Sequence, residues 1–135
     1  MFMRGFFASL LALFVLFPSI AAAETINVRA NRISSIAGFW VYAKQNCHHT
    51  GKLKHRIASA PKHGKVTVSF ERRRIPESVD NKCAGRMSGV MVVHYTPNRG
   101  YRGKDSAAVT FEFPQYLGGQ GYTKARTMRY TLNVK

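Results

Sequence analysis

The sequence predicts an all-β protein, a sandwich of two antiparallel sheets built from about seven short strands. Several segments alternate apolar and polar residues with a period of two, which is typical of half-buried strands. Clusters of glycine, proline and asparagine separate these segments, as turns do. The chain of 135 residues has the length of a single domain that can bury a core.

The clearest alternation runs from Asp105 to Phe113 and from Thr127 to Lys135. Between these strands, Pro114 and Gly118–Gly121 predict a turn, so we expect an antiparallel hairpin with a long loop. The segment Val90–Tyr95 is apolar on both faces, which predicts a central or doubly covered strand. The remaining candidate strands are Thr25–Ala30 at an edge, Phe39–Lys44, Leu53–Ser59 and Gly64–Glu71.

Two stretches are less regular. Residues Ile33–Lys44 follow no single period, and we assign a strand only from Phe39 onward, because aromatic and β-branched residues favour the pleated surface. The stretch Arg72–Met87 is long and polar, so we expect a loop there. No segment after residue 23 predicts a helix.

The first 23 residues are typical of a secretory signal peptide. Arg4 gives a positive start, Phe6–Phe17 is apolar, Pro18 interrupts the run, and Ala21–Ala23 offers small side chains for cleavage. A retained anchor is the alternative, but the apolar run falls short of the roughly 20 residues needed to cross a bilayer. We therefore expect one mature domain, residues 24–135, that is periplasmic or secreted and has no transmembrane segment.

The chain is strongly basic, with 21 lysines and arginines against 6 acidic residues and a formal net charge of +15 at pH 7. Such an excess predicts attraction to polyanions. Outside the cytoplasm these are lipopolysaccharide phosphates, an anionic membrane surface, acidic polysaccharide and released nucleic acid. We expect no sequence-specific nucleic-acid partner. The alternative is that the charge serves solubility alone.

Both cysteines, Cys47 and Cys83, follow the predicted leader. An even number of cysteines in an oxidising compartment favours a disulfide. Closing the loop between them would stabilise the fold by about 3–4 kcal/mol in the chain-entropy model. Free thiols that act as nucleophiles or metal ligands are the alternative, but neither cysteine lies in a redox or zinc-site spacing.

Two segments carry a resemblance to a known family. Pro61-Lys-His-Gly-Lys-Val66, then Tyr95-Thr-Pro-Asn-Arg-Gly-Tyr-Arg-Gly-Lys-Asp-Ser106, resembles the P-x-H-G-x-V and Y-x-P-x-x-G-Y-x-G-x-D-S pattern of bacterial Ig-like and cadherin-like tandem-repeat domains. The chain is similar too to small exported single-domain proteins of alphaproteobacteria that have a cysteine pair. The resemblance covers about residues 57–113 and implies an Ig-like β-sandwich.

The resemblance also implies roles that this chain fits in part. Such domains act as adhesive spacers or ligand-binding modules, and some bind calcium, but the six scattered acids predict no calcium site. Pro97 ends a strand, Gly100 and Gly103 permit a positive φ, and Asp105 can accept backbone N–H bonds that close the turn. These are folding roles.

Three runs concentrate the positive charge, namely Lys52–Arg56, Arg72–Arg74 and Arg99–Lys104. Tyr101 lies within the last run, where its ring could stack on a sugar or a base. The sequence leaves open whether the runs form one surface. The candidate anion-binding residues are Arg72, Arg73, Arg74, Arg99, Arg102 and Lys104.

No residue pattern indicates catalysis, a metal or a cofactor. Neighbours in the Cys47–His49 segment point to opposite sides of an extended chain, and a bridged cysteine offers no thiolate. His55, His63 and His94 have no evident serine or carboxylate partner. The six acids do not indicate a glycosidase pair, and G-x-S-x-G, H-E-x-x-H and phosphate-loop motifs are absent from the sequence. We predict a protein that is not an enzyme.

The leading hypothesis is an exported, non-enzymatic binding module whose basic surface contacts an anionic component of the envelope. The alternative is a protein-interaction or inhibitor module that docks on another envelope protein by shape. It would use the loop with Trp40 and Tyr42, or Gly118–Gly121. Salt separates the two hypotheses, because contacts between surface charges are screened.

Overall fold

The computed structural model describes residues 24–117 and 120–135, so the predicted signal peptide, residues 1–23, lies outside the described residues. In the described ranges the chain forms strands and no helix. No helical segment long and apolar enough to cross a membrane is therefore found there. The all-β prediction and the predicted number of strands are confirmed. The strands are β1 (Thr25–Val28), β2 (Ser34–Val41), β3 (Lys54–Ser59), β4 (Gly64–Arg74), β5 (Met87–Pro97), β6 (Gly103–Leu117) and β7 (Gln120–Val134).

The strands form two sheets. Sheet A has the order β1-β7-β6-β3, and sheet B has the order β2-β5-β4. Neighbouring strands are antiparallel, except that β1 runs parallel to β7. The prediction of purely antiparallel sheets is wrong at this edge. The two strands come from opposite ends of the chain, so no tight hairpin imposes an antiparallel direction on them.

One apolar core fills the space between the sheets. Phe39 of sheet B and Phe111 of sheet A meet across it with ring centroids 5.2 Å apart. Met91, Tyr95 and Leu132 are completely buried in the same core, and each side chain of this size contributes about 1.5–3 kcal/mol of burial free energy. Strand β5 lies at the centre of sheet B, which confirms the prediction from its two apolar faces.

Strands β6 and β7 are longer than predicted. They pair without interruption as far as Leu117 beside Gln120, so the long loop predicted over residues 114–126 is wrong. Strand β3 pairs with β6 only up to Glu112, and beyond it no other strand of the described residues pairs with that side of β6. Pro114 is tolerated there because its missing N–H can face solvent. We call this two-stranded extension, residues 113–117 and 120–126, the hairpin arm.

Two further boundaries differ from the predictions. Strand β2 begins at Ser34 and ends at Val41, and a β-bulge between Ser35 and Ala37 explains why the segment shows no single period. Strand β4 continues to Arg74, so the arginine run lies in a strand and not in a loop.

The predicted disulfide is present. Cys47 and Cys83 are bonded, with their Cα atoms 5.4 Å apart. Both cysteines are buried with Ile75 in a second apolar cluster, against which Trp40 and Tyr42 pack. The bridge therefore fastens the loop between β2 and β3 to the loop between β4 and β5.

Candidate anion-binding surfaces

The six candidate anion-binding residues lie at opposite ends of the molecule. Antiparallel pairing of β4 with β5 puts Arg74 at one end of sheet B and Pro97 at the other. The 11 residues of β4 separate these ends by about 30 Å at about 3.3 Å per residue. The run Arg72–Arg74 and the run Arg99–Lys104 therefore do not form one surface.

Each end is made of several loops. The disulfide end, as we call it, comprises residues 42–53, residues 75–86 and the hairpin arm. The Asp105 end comprises residues 29–33, 60–63 and 98–105. All lysines and arginines in the described part of the chain are exposed, so both ends present positive charge to solvent.

Hydrogen bonds reinforce the bridge at the disulfide end. The Tyr42 hydroxyl donates to the Asp80 carboxylate at 2.9 Å, and the N–H groups of Lys82 and Cys83 donate to the other carboxylate oxygen at 3.0 and 3.3 Å. The bond from Tyr42 is the main cause of a pKa of Asp80 below its ordinary value. This carboxylate therefore holds the two loops together in its charged form.

A shallow depression of about 350 Å³ lies between these loops and the end of β4. Two arginines and two histidines line this concave surface, and none of the six lining residues is acidic. Arg72 was predicted to bind anions, whereas Arg86 and the histidines were not, because only the disulfide and the sheet pairing bring these segments together. The lining residues are Cys47, His48, His49, Arg72, Arg86 and Met87.

Arg73 and Arg74 have partners within the protein. Arg73 forms an ion pair with Glu71, and hydrogen bonds from Ser69 and Arg73 lower the pKa of that carboxyl. Arg74 donates a hydrogen bond to the carbonyl of Gly85 at 2.8 Å. Both arginines add positive charge to the disulfide end, but their guanidinium groups are occupied in holding the local structure.

The Asp105 carboxylate organises the opposite end. One oxygen accepts the N–H groups of Lys62 and Ser106 at 3.0 and 2.9 Å, and the other accepts the N–H of His63 at 3.0 Å and the hydroxyl of Tyr95 at 2.8 Å. Burial raises the pKa of Asp105, but these four hydrogen bonds outweigh it, so the pKa lies below its ordinary value. The predicted role of Asp105 in closing the turn is confirmed.

Arg99, Arg102 and Lys104 are exposed around this buried network. The N–H of Gly100 donates to the side-chain oxygen of Asn31 at 2.7 Å, which joins the turn after β1 to the turn after β5. The Asp105 end is thus a set of connected turns with three of the predicted cations on its rim.

Tyr101 is less available than predicted. Its ring stacks on His63 with centroids 4.1 Å apart and planes within 5°, and its hydroxyl donates to the carbonyl of Lys104. One ring face is therefore occupied inside the protein. Gly100 and Gly103 have the predicted positive φ, at 77° and 129°.

A further polar cluster surrounds His94 on the face of sheet B that points away from the core. The Nδ1 atom lies 3.2 Å from the Ser35 hydroxyl, and Nε2 lies 2.9 Å from the Ser69 hydroxyl and 3.5 Å from Glu71. The prediction that His94 lacks a serine or carboxylate partner is wrong, because cross-strand pairing places them side by side. The Ser69 hydroxyl donates to Glu71 at 2.9 Å and bridges it to the imidazole.

Within residues 24–117 and 120–135, no three histidine, cysteine, aspartate or glutamate side chains lie close enough together to hold a metal ion. Comparison of the chain with protein-family models, curated proteins and solved structures finds no match.

Proposed function

We propose that this protein is an exported, non-enzymatic binding module that contacts an anionic component of the bacterial envelope. One observation carries the proposal. Arg73 is the sole lysine or arginine of the described residues within ion-pair distance of a carboxylate, and all of these cations are exposed. A large positive charge that is neither buried nor paired internally is available to a polyanion.

Half of the six acidic residues support the same proposal, because they have internal roles. Asp105 is buried in its hydrogen-bond network, Asp80 ties the two loops of the disulfide end, and Glu71 pairs with Arg73. Little acidic surface therefore competes with an external anion for the basic side chains.

The Ig-like class implied by the sequence pattern is part of this proposal, and the strand order supports it. In the immunoglobulin arrangement the second, fourth and fifth strands form one sheet, and the third, sixth and seventh form the other. This chain divides its strands in the same way. Its first strand lies beside β7, whereas the constant-type arrangement places it in the sheet with the second.

Export is supported by the signal-like pattern of residues 1–23 and by the disulfide, which persists in oxidising compartments. A non-enzymatic role is supported by the geometry at His94. In a hydrolytic triad a carboxylate bonds directly to the histidine that activates the serine. Here Glu71 lies 3.5 Å from Nε2, longer than a normal hydrogen bond, and the Ser69 hydroxyl bridges the two.

Retention on immobilised heparin, a sulfated polyanion, tests the proposal. We expect the protein to elute earlier as salt is raised, because surface charge contacts are screened over about 8–10 Å at moderate ionic strength. Replacing Arg72, Arg73 and Arg74 by Ser should lower the eluting salt concentration. The same change at Arg99, Arg102 and Lys104 should also lower it. Retention that depends on neither salt nor these triple changes would reject the proposal.

A second candidate is a protein-interaction module, and the hairpin arm favours it. Each strand of the arm has one side that no other described strand pairs with, and Tyr122 on the arm is 52% exposed. The predicted docking residues Trp40 and Tyr42 instead pack against the disulfide cluster, and the predicted Gly118–Gly121 segment lies partly outside the described residues. A stoichiometric envelope protein that stays bound in high salt would favour this candidate.

A further inference from the structure

We propose that the depression at the disulfide end is a binding site for a terminal phosphate or sulfate group and that the disulfide assembles it. The inference rests on the proposed function, since it names one site and one ligand class for the anion binding.

The first argument is convergence. The basic residues of the depression come from three separate segments, with Arg72 on β4, Arg86 in the loop before β5, and His48 and His49 in the loop after β2. Scattered surface charges that serve solubility alone have no reason to line one concave surface. The volume of about 350 Å³ lies at the lower end of the range for small-ligand sites, which begins at about 300 Å³.

The second argument is chemical. A guanidinium presents a planar fork of N–H donors that matches phosphate oxygens two at a time, and charge-assisted bonds of this kind are the strong ones. An imidazole contributes an N–H donor even when it is neutral. Four donor side chains from three segments suit a terminal phosphate or sulfate, which has three outward oxygens, better than a planar carboxylate.

The third argument is that the loops are held in place before any ligand binds. The N–H of Cys47 donates to the backbone carbonyl of Ala43 at 2.8 Å, and the N–H of Ala43 donates to the backbone carbonyl of His48 at 2.9 Å. The N–H of Ile75 donates to the carbonyl of Arg86 at 3.0 Å. The disulfide joins the histidine-bearing loop to the loop that carries Arg86, and the hydrogen bond from Tyr42 to Asp80 joins them a second time, so we expect breaking the bridge to loosen the histidines relative to the arginines.

The fourth argument is that two carboxylates near this end, those of Asp80 and Glu71, are occupied. Asp80 accepts three hydrogen bonds from its own loops, and Glu71 is engaged by Arg73 and Ser69. Neither is free to satisfy Arg72 or Arg86 in place of an external anion.

The test is titration of inorganic phosphate into the purified, oxidised protein, followed by backbone amide NMR. We expect saturable shifts at His48, His49 and Arg86. The double change Arg72→Lys with Arg86→Lys keeps the net charge but removes both guanidinium forks, and it should weaken binding about tenfold. The matched control, Arg99→Lys with Arg102→Lys at the Asp105 end, should change the affinity by no more than about twofold.

The proposed site would be overturned if both double variants weakened phosphate binding equally, or if neither weakened it. Heparin retention would then decide the wider proposal separately, because diffuse attraction still produces salt-sensitive retention. If heparin retention is absent as well, both proposals fail.

Removal of the bridge tests the assembly step. Cys47→Ala with Cys83→Ala should weaken phosphate binding at least as much as the double lysine change, in a protein whose circular dichroism remains that of a β fold. Unchanged affinity in that folded variant would overturn the role of the disulfide. If the variant does not fold, phosphate is titrated instead into the wild-type protein at reductant concentrations that leave its circular dichroism unchanged. The phosphate affinity of this reduced protein is then compared with that of the oxidised protein.

Two sources can supply the ligand group, and vesicles distinguish them. Retention on phosphatidylcholine vesicles that contain phosphatidic acid, reversed by excess inorganic phosphate, would assign the group to a lipid head. Saturable phosphate binding without vesicle retention would assign it to a soluble or polysaccharide ester. Both results support the site, and binding in neither arm would overturn it.

Discussion

At the scale of residues, the two segments that resemble the Ig-like pattern, 61–66 and 95–106, are joined through one carboxylate, that of Asp105. Asp105 binds the backbone of the His63 turn and the hydroxyl of Tyr95. A Cβ atom on Gly64 would lie 2.6 Å from the Thr96 carbonyl oxygen and from the Tyr95 ring. Tyr95 cannot move aside without losing its bond to the carboxylate, so only glycine fits at this position. The pattern therefore has a folding explanation at each of these residues.

The first prediction concerns Asp105→Asn. The amide places an N–H₂ group among donors, so we expect a loss of about 2–3 kcal/mol in the free energy of unfolding near neutral pH. The pKa of Asp105 is lowered in the folded state, so its stabilisation is complete above the unfolded value near 3.8 and is lost as pH falls through the folded pKa. The difference between wild type and variant should therefore shrink in strong acid.

Urea unfolding at several pH values measures this difference. Glu71→Gln is a suitable control, since that carboxyl also has a lowered pKa but is not part of the buried network. A gap between wild type and Asp105→Asn that stays constant down to the lowest pH would contradict the prediction.

The second prediction compares two core tyrosines. The Tyr95 hydroxyl donates to Asp105, whereas the Tyr130 hydroxyl is buried with no hydrogen-bond partner among the described residues, and burial raises the pKa of Tyr130 to about 12. Tyr95→Phe should cost about 1.5–3 kcal/mol, because it removes a bond to a charged group, and Tyr130→Phe should be neutral or stabilising within about 1 kcal/mol. Equal melting temperatures of the two variants would contradict this.

At the scale of elements, the disulfide links two loops that no strand pairing within the described residues joins. The bridge closes a sequence separation of 36 residues. The third prediction is that Cys47→Ala with Cys83→Ala lowers the free energy of unfolding by about 3–4 kcal/mol. Denaturant unfolding with and without reductant measures the effect. Reductant should not change the free energy of unfolding of the double variant. If complete reduction also leaves the free energy of unfolding of the wild type unchanged, the prediction is refuted.

The hairpin arm is a second element with its own behaviour. Residues 120–127 of β7 are exposed, whereas Tyr130, Leu132 and Val134 further along the same strand are buried. The fourth prediction is that amide hydrogens of residues 121–126 exchange orders of magnitude faster than those of residues 130–134, because elements with few buried contacts open locally. Uniform protection along β7, measured by hydrogen exchange, would contradict this prediction.

At the scale of the whole molecule, the formal net charge of +15 opposes folding through self-repulsion. The fifth prediction is that the melting temperature rises as NaCl is raised from about 0.01 to about 0.15 M, over which the screening length falls from about 30 to about 8 Å. Phosphate at equal ionic strength should raise it further if the anion binds the folded state. A melting temperature that falls with added NaCl would contradict the prediction.

Much of the fold follows from local patterns, and some of it does not. The alternation over Asp105–Phe113 and the two apolar faces of Val90–Tyr95 predicted an inward face and a central strand, and both are present. The arm was missed because Pro114 is a strand breaker only where both sides of a strand are paired. Strand β2 was misplaced because a bulge shifts the alternation by one residue.

The sequence alone determined the all-β class and the number of strands, the inward face of the regular strands, the basic character and the cysteine pairing, since alternation, charge and cysteine number are properties of neighbouring residues or of composition. Only the tertiary structure decided which cations share a surface. The antiparallel register of β4 and β5 sends the two arginine runs to opposite ends and places Arg86 near Arg72, and the disulfide ties the histidine-bearing loop to the loop of Arg86. Such proximity depends on pairing between distant segments, which no local pattern encodes.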